Sequence, residues 1–208
     1  MSELESTAGE DAAWASINTP LTPDALLVFC QDVERLFRIN PMLTFERWER
    51  LGGGHYRCAG RNISQEEPFD FDLEFTVEPL PDGLRIDYLG KGLKTRTTLK
   101  IEPAPPDAPG RSRLTITDSY DHTLPAAERE RLLHTVDRSL VVWLEYLLRY
   151  LVTWQRWSRF RWWRWYMRRV WLPMKPSGRR ITYMLLWISA FEMALIALGF
   201  VIYYLEFA

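Results

Sequence analysis

The chain has 208 residues, 47% of them hydrophobic, and a formal net charge of −1 at pH 7. Its two cysteines, Cys30 and Cys58, exclude a disulfide framework and read as reduced thiols in a cytoplasmic domain. The near-neutral total hides two opposed halves: residues 1–145 carry 16 Lys/Arg against 25 Asp/Glu, and residues 146–208 carry 10 against 2.

The first residues, MSELESTAGEDAA, are acidic and polar. They read as a disordered arm over residues 1–12 and not as a signal peptide. Trp14 to Asn18 reads as a first strand. Thr22 is placed to cap a helix that has Pro23 in its first turn. Leu26, Phe29, Cys30, Val33, Leu36 and Phe37 recur at helical spacing, which predicts one amphipathic helix ended by Asn40-Pro41. A run of strands follows. Thr44–Leu51 does not alternate cleanly at Phe45, Trp48 and Leu51, which predicts a bulge. Gly52 to Gly54 is a turn and His55–Ile63 the next strand. Phe69–Glu78 alternates strictly, with Phe69, Phe71, Leu73, Phe75 and Val77 on one face and acids or Thr on the other. Pro79 to Gly83 turns the chain. Leu84, Ile86 and Tyr88 continue the apolar face, and Gly90 and Gly92 mark a loop. Thr95–Glu102 and Ser112–Tyr120 are the last strands, separated by a Pro-rich loop. A long helix opens at Thr123-Leu124-Pro125, with Leu132, Leu133, Val136, Leu140, Trp143 and Leu147 as its core-facing stripe. A break is expected near Thr153–Ser158, where the composition changes.

Arg149 to Arg180 holds ten Arg/Lys, six tryptophans and no acid. Ile181 to Leu205 is then almost uninterrupted apolar sequence. A helix of that length spans a hydrocarbon core of ~30 Å at ~1.5 Å per residue. The expected organisation is an arm (1–12), a soluble domain (13–153), a basic, Trp-rich interfacial segment (154–180) and a transmembrane helix (181–205). The positive-inside bias makes this a single-pass inner (cytoplasmic) membrane protein, tail-anchored with its N-terminal domain in the cytoplasm.

The order strand, helix, six strands, long helix predicts an α+β domain, with a seven-stranded antiparallel sheet wrapped on its closing helix. With the segment Asp32 to Pro41 (DVERLFRINP) after the first strand, it resembles the helix-grip fold of the START-like (SRPBCC) superfamily. That superfamily includes polyketide cyclases, Bet v 1-like proteins and lipid-transfer domains. The resemblance covers residues 13 to about 155. With the apolar tail added, the architecture is similar to that of the membrane-tailed START-like component of carbon monoxide dehydrogenase, which is associated with handling quinone; no residue roles are carried over from it. The resemblance implies a cavity for an apolar ligand, lined by Trp48, Tyr56, Phe71, Leu73, Phe75, Tyr88, Leu99, Ile116 and Tyr120 of the sheet and by Leu140 and Trp143 of the helix. The alternative is that these side chains simply fill the core, since alternating apolar positions are required of every half-buried strand.

In the basic segment, Arg156, Trp157, Arg161, Trp162, Trp163, Arg164, Trp165, Arg168, Arg169 and Trp171 suit a headgroup zone, where Trp partitions and Arg pairs with phosphate. Interleaved Arg and aromatic residues also suit single-stranded nucleic acid, but the adjoining apolar run favours membrane lipid as the partner and no nucleic acid. Glu192 lies near the middle of the run, where a carboxylate costs roughly 2.5–3.5 kcal/mol on insertion scales. It marks a contact with a partner membrane helix or a second copy of the chain, or it is a tolerated protonated acid. Ser189, Ile196 and Gly199 share its face.

Catalytic and metal signals are weak. His55, His122 and His134 make no metal-binding spacing, the cysteines form no CxxC, and there is no GxSxG, P-loop or GxGxxG. No cofactor or metal is expected. Asp118 and Tyr120 are the acid/base candidates of a cyclase-type site. The functional expectation is membrane-tethered binding or transfer of a hydrophobic small molecule, lipid or quinone. The alternatives are a cyclase or aromatase acting on a membrane-soluble substrate and an accessory component of a membrane complex.

Overall fold

A computed structural model describes residues 12–90, 92–108, 110–121 and 138–207. Residues 1–11 of the expected arm lie outside these, as do the expected helix opening at Thr123–Pro125, its stripe residues Leu132, Leu133 and Val136, and His122 and His134.

Strand β1 (Ala12–Thr19) is followed by helices α1 (Pro23–Cys30) and α2 (Val33–Arg38). Strands β2 (Leu43–Gly52), β3 (His55–Asn62), β4 (Phe69–Leu80), β5 (Gly83–Leu89), β6 (Lys94–Pro103) and β7 (Ser112–Tyr120) complete one antiparallel sheet in the order β1-β7-β6-β5-β4-β3-β2. Helix α3 (Leu140–Trp157) packs on it, α4 (Arg161–Tyr166) leads into a π-helical turn (Met167–Trp171), and α5 (Pro176–Phe207) ends the chain. This is the α+β helix-grip fold: seven antiparallel strands with a helix packed on the sheet.

The strands follow from period two. The β4 residues Asp70, Asp72 and Glu78 face outward into a cross-strand charge ladder: Asp72 receives Arg57 at 2.9 Å and Arg47 at 3.1 Å, and Glu78 pairs with Arg85. The two arginines hold the exposed Asp72 carboxyl below its usual range. The expected bulge in β2 is present, with register shifts at Phe45/Arg47 and Arg50/Gly52. The hairpin after it uses Gly52, Gly53 and Gly54 at φ 97, 58 and 78°, a region that other residues rarely adopt. The β4–β5 turn is tighter than expected. Pairing continues through Pro79 and Leu80, so only Pro81 and Asp82 turn the chain.

Two helices replace the single one expected over residues 24–38. Asp32 stands at φ −82, ψ 74°, outside the helical region, and its carboxylate accepts the Arg35 backbone N–H at 3.4 Å. A side chain that caps a new helix start interrupts the old one. Apolar periodicity does not register this, because the stripe resumes in phase. Thr22 caps α1 as expected, accepting from Ala25 N at 3.4 Å.

The stretch expected as part of one long closing helix is not helical just before α3. Residues 138 and 139 are not helical, and α3 begins at Leu140 with Ser139 as its N-cap. Ser139 Oγ accepts a 2.6 Å bond from Asn40 Nδ2, and the Arg138 backbone N–H reaches Ser64 Oγ at 3.0 Å, so polar contacts anchor this entry. The α3 stripe Leu140, Trp143, Leu144, Leu147, Tyr150 and Leu151 is buried. The helix stops at Trp157, inside the window where a break was expected.

Two substitutions test this packing. Leu147 is fully buried on the inward face of α3, and Leu147→Ala is expected to cost about 3 kcal/mol of unfolding free energy. Gly60 lies opposite the β2 bulge, where an added Cβ would overlap the Thr44 carbonyl, so Gly60→Ala is expected to cost about 2–3 kcal/mol. Denaturant melts of full-length protein in detergent measure both.

Candidate functional site

The inward face of β4 is not uniformly buried. Phe75 is 0% exposed and stacks on Phe37 and Tyr56 at 5.5 Å each. Phe69, Phe71 and Leu73, further towards the start of the strand, are only half-buried. The difference is a cavity of about 320 Å³ between this end of the sheet, the α2–β2 connection and α3. That size falls within the usual range of small-molecule sites, roughly 300–1,000 Å³.

Of the residues expected in a pocket, Phe71, Leu73, Tyr88 and Trp143 line this cavity. Tyr56, Phe75, Leu99, Ile116 and Leu140 are buried core side chains outside its wall, and Trp48 packs half-buried against the same core. Tyr120 is half-buried at the end of β7. The wall also contains residues that were not expected in a pocket: Phe37, Asn40, Leu43, Phe45, Cys58, Asn62, Phe69, Leu93 and Lys94. Phe45 could have been found from the bulge, which turns it to the same side as Trp48; the two rings meet edge-on at 5.2 Å. Lys94 carried no signal, because a lysine opening a strand reads as solvated.

Lys94 gives the cavity a polar end. Its ammonium lies 2.8 Å from Asp118 Oδ2, and Asp118 is 2% exposed. The Thr97 hydroxyl donates to Asp118 Oδ1 at 2.6 Å. Its single proton being spent there, Thr97 Oγ1 accepts from the Tyr88 hydroxyl at 3.1 Å. Tyr88, Thr97, Asp118 and Lys94 thus form a chain that begins and ends in the cavity wall. At the other end, Asn40 and Asn62 are buried and tied to local backbone, Asn40 Oδ1 accepting Met42 N at 3.0 Å and Asn62 Oδ1 accepting Ser64 N at 2.8 Å. The space suits an apolar body with one oxygen-bearing end near Lys94.

No group of three potential metal ligands occurs among the described residues. His55 lies 2.8 Å from Glu74 on the neighbouring strand, away from the cavity wall.

The basic, aromatic segment divides by face. Trp154, Trp163, Tyr166, Met167, Trp171 and Leu172 pack against the core. Trp162 and Trp165 are 61% and 62% exposed, and Arg156, Trp157, Arg161, Arg164, Arg168 and Arg169 are exposed as well. Arg179 joins this segment to α5, donating to the Trp171 and Leu172 carbonyls at 3.1 and 2.8 Å while lying over the Trp171 ring at 4.1 Å. One helix among the described residues, α5, is long and apolar enough to cross a membrane. Every residue from Tyr183 to Glu206 on it is exposed, Glu192 included.

Cys58 lines the cavity and Cys30 is buried at the end of α1; burial pushes both thiols from an ordinary 9.0 up to about 12. An acid whose folded value is raised contributes stability below its unfolded value and loses it as pH rises through the folded one, here between about pH 9 and 12. Stability is therefore expected to fall across that window. At pH 8 iodoacetamide should leave both cysteines unmodified in the folded protein and alkylate both after unfolding, as read by intact mass.

No protein-family model matches the sequence, and no curated protein matches it. Solved structures do resemble the fold. The Zhui aromatase/cyclase from a Streptomyces species aligns at TM-score 0.50 and 15% identity, over 72% of this chain and 98% of that one. A conserved protein from Geobacillus kaustophilus aligns at TM-score 0.49 and 12% identity, over 69% and 96%. A STAR-related lipid transfer protein fragment from Xanthomonas axonopodis aligns at TM-score 0.43 and 14% identity, over 71% and 90%. At these identities the likeness is one of fold, and the first of the three carries it: the chain is similar to the aromatase/cyclase in its helix-grip domain.

Proposed function

We propose that this chain binds a hydrophobic small molecule, a lipid or quinone, in the cavity beneath α3 while α5 tethers it to a membrane. The observation that carries the reading is the cavity itself. It keeps about 320 Å³ open among Phe37, Phe45, Phe71, Leu73 and Trp143, beside a buried aromatic and aliphatic core. Exposed side chains along α5 support the tether, because such a surface is costly in water. The surplus of Arg and Lys before α5 supports a cytoplasmic domain, by the positive-inside bias. Exposed Trp162 and Trp165 with their neighbouring arginines suit contact with headgroups. Glu192 meets a partner helix or a second copy within the bilayer, where a lone carboxylate is unfavourable.

A second reading, an aromatase- or cyclase-type enzyme on a membrane-soluble substrate, is favoured by one observation. The Tyr88–Thr97–Asp118–Lys94 chain places a cation and a buried carboxylate at one end of an apolar cavity. The carrier reading takes this chain as a polar anchor for the ligand. The enzymatic reading takes it as a proton relay.

Full-length protein extracted in mild detergent is expected to carry a stoichiometric apolar molecule, detectable by native mass spectrometry. Leu73→Arg puts a charge on the cavity wall, and the folded variant should lose that molecule. Recovery of bulk phospholipid alone, equally in both proteins, would overturn the reading. Asp118→Asn separates the two readings: a carrier keeps its ligand unaltered, whereas an enzyme accumulates unconverted substrate. Glu192→Leu is expected to weaken co-purification of any membrane partner.

A further inference from the structure

A second cleft, of about 230 Å³, lies between α2 and the π-helical turn and shares no lining residue with the apolar cavity. Arg35, Arg38 and Arg168 converge on it, with Asp32 and Glu34 at its edge. Both carboxylates are already engaged. Asp32 Oδ1 accepts the Arg35 backbone N–H at 3.4 Å, and Glu34 Oε1 accepts from Arg38 Nε at 2.7 Å.

Arg35 is the unusual member. It is 4% exposed and has no carboxylate within 4.0 Å among the described residues. Its guanidinium lies over three rings, at 3.9 Å from Trp154, 4.4 Å from Phe29 and 5.1 Å from Tyr150. Nε donates to the Tyr150 hydroxyl at 3.0 Å, and Nη2 has no hydrogen-bond partner. Ring faces and one phenol offset only part of the cost of burying a charge. Burial accordingly lowers the Arg35 pKa; Tyr150 and Asp32 oppose this, and nearby Arg168 lowers it further. Beyond Arg38, an adjoining smaller cleft adds Lys175 and Arg179. Three arginines thus line a cleft with two engaged carboxylates, and two further cations lie in the cleft beside it.

We propose that this cleft binds a phosphate group on Arg35, Arg38 and Arg168. Guanidinium forks match phosphate oxygens in pairs, which a halide does not exploit. A phosphomonoester headgroup at a lipid surface and a free phosphate compound offer the same chemistry. The inference stands apart from the apolar cavity and survives if that cavity binds nothing.

The test uses full-length protein in uncharged maltoside micelles, titrated with dioctanoyl phosphatidic acid, dioctanoyl phosphatidylcholine or inorganic phosphate. Sodium chloride holds ionic strength constant to remove general screening. Thermal unfolding and tryptophan emission are read together, because Trp154 touches the Arg35 guanidinium. Phosphatidic acid or inorganic phosphate is expected to raise the melting temperature saturably, and Arg168→Gln to weaken that binding at least tenfold. Arg168 is exposed, so the ligand-free variant should melt as the wild type does. Arg111→Gln, exposed in the β6–β7 loop, should bind like wild type. Arg168→Lys keeps the charge without the fork and should fall between the two. Saturation by phosphatidic acid alone assigns a headgroup; saturation by inorganic phosphate assigns a soluble phosphate compound. No saturable binding of either, equal binding of phosphatidylcholine, or unchanged affinity in Arg168→Gln would each overturn the proposal.

Discussion

The indole N–H of Trp143 donates to the Leu36 carbonyl at 3.0 Å, in the buried space between α3 and α2. This bond sets how α3 lies on the sheet. The Trp143 ring also meets Phe37 at 5.5 Å, and Phe37 in turn stacks on Phe75. One aromatic column therefore runs from the closing helix through α2 to β4 of the sheet. Where the column stands, the interior is filled. Beside it, towards the start of β4, lies the cavity. The Asn40–Ser139 bond at the helix entry holds the same edge from the other side.

Charge is arranged in layers around this core. The outer sheet face carries alternating arginines and carboxylates, with Asp87 held between Arg85 at 3.0 Å and Arg96 at 2.6 Å. Exposed pairs of this kind add little stability, but they keep a wide antiparallel face soluble. Inside, buried charge is rare and each instance has a distinct setting. Lys94 and Asp118 compensate one another at the cavity, whereas Arg35 relies on aromatic faces. The first is a closed pair facing an apolar space. The second is an incomplete one facing a cleft rich in arginine.

The junction with α5 is built by side chains that serve two partners. Trp154 and Trp171 pack on Tyr150, at 6.1 and 5.4 Å between rings, and so bind the basic segment to the domain core. Arg179 caps the carbonyls at the end of the π-helical turn, which would otherwise be left over before Pro173 and Pro176 break the helical pattern. The long apolar helix thus leaves from a folded surface and not from a free linker.

Local pattern was enough for the strands, the β2 bulge, the glycine hairpin, the end of α3 and the apolar helix. Each depends on side-chain alternation, on backbone freedom or on length, all of which are written within a few neighbouring residues. The α1–α2 break was hidden because Asp32 caps a helix without disturbing the apolar stripe. Membership of the cavity wall was hidden for a different reason. Period two tells which face of a strand a residue occupies, so Phe71, Leu73, Phe75, Leu99 and Ile116 look alike. It does not tell how far along the strand the helix crosses. Phe75 sits under the aromatic column and Leu73 sits beside it, a distinction set by the Trp143–Leu36 contact between residues 107 apart. The same holds for Lys94 and Asp118, and for Arg35 and Arg168. The sequence by itself determined the strands, the long apolar helix and the inward faces, because those are local. Only the tertiary structure decided which inward positions remain open and which charges meet, because both depend on where distant elements come to rest.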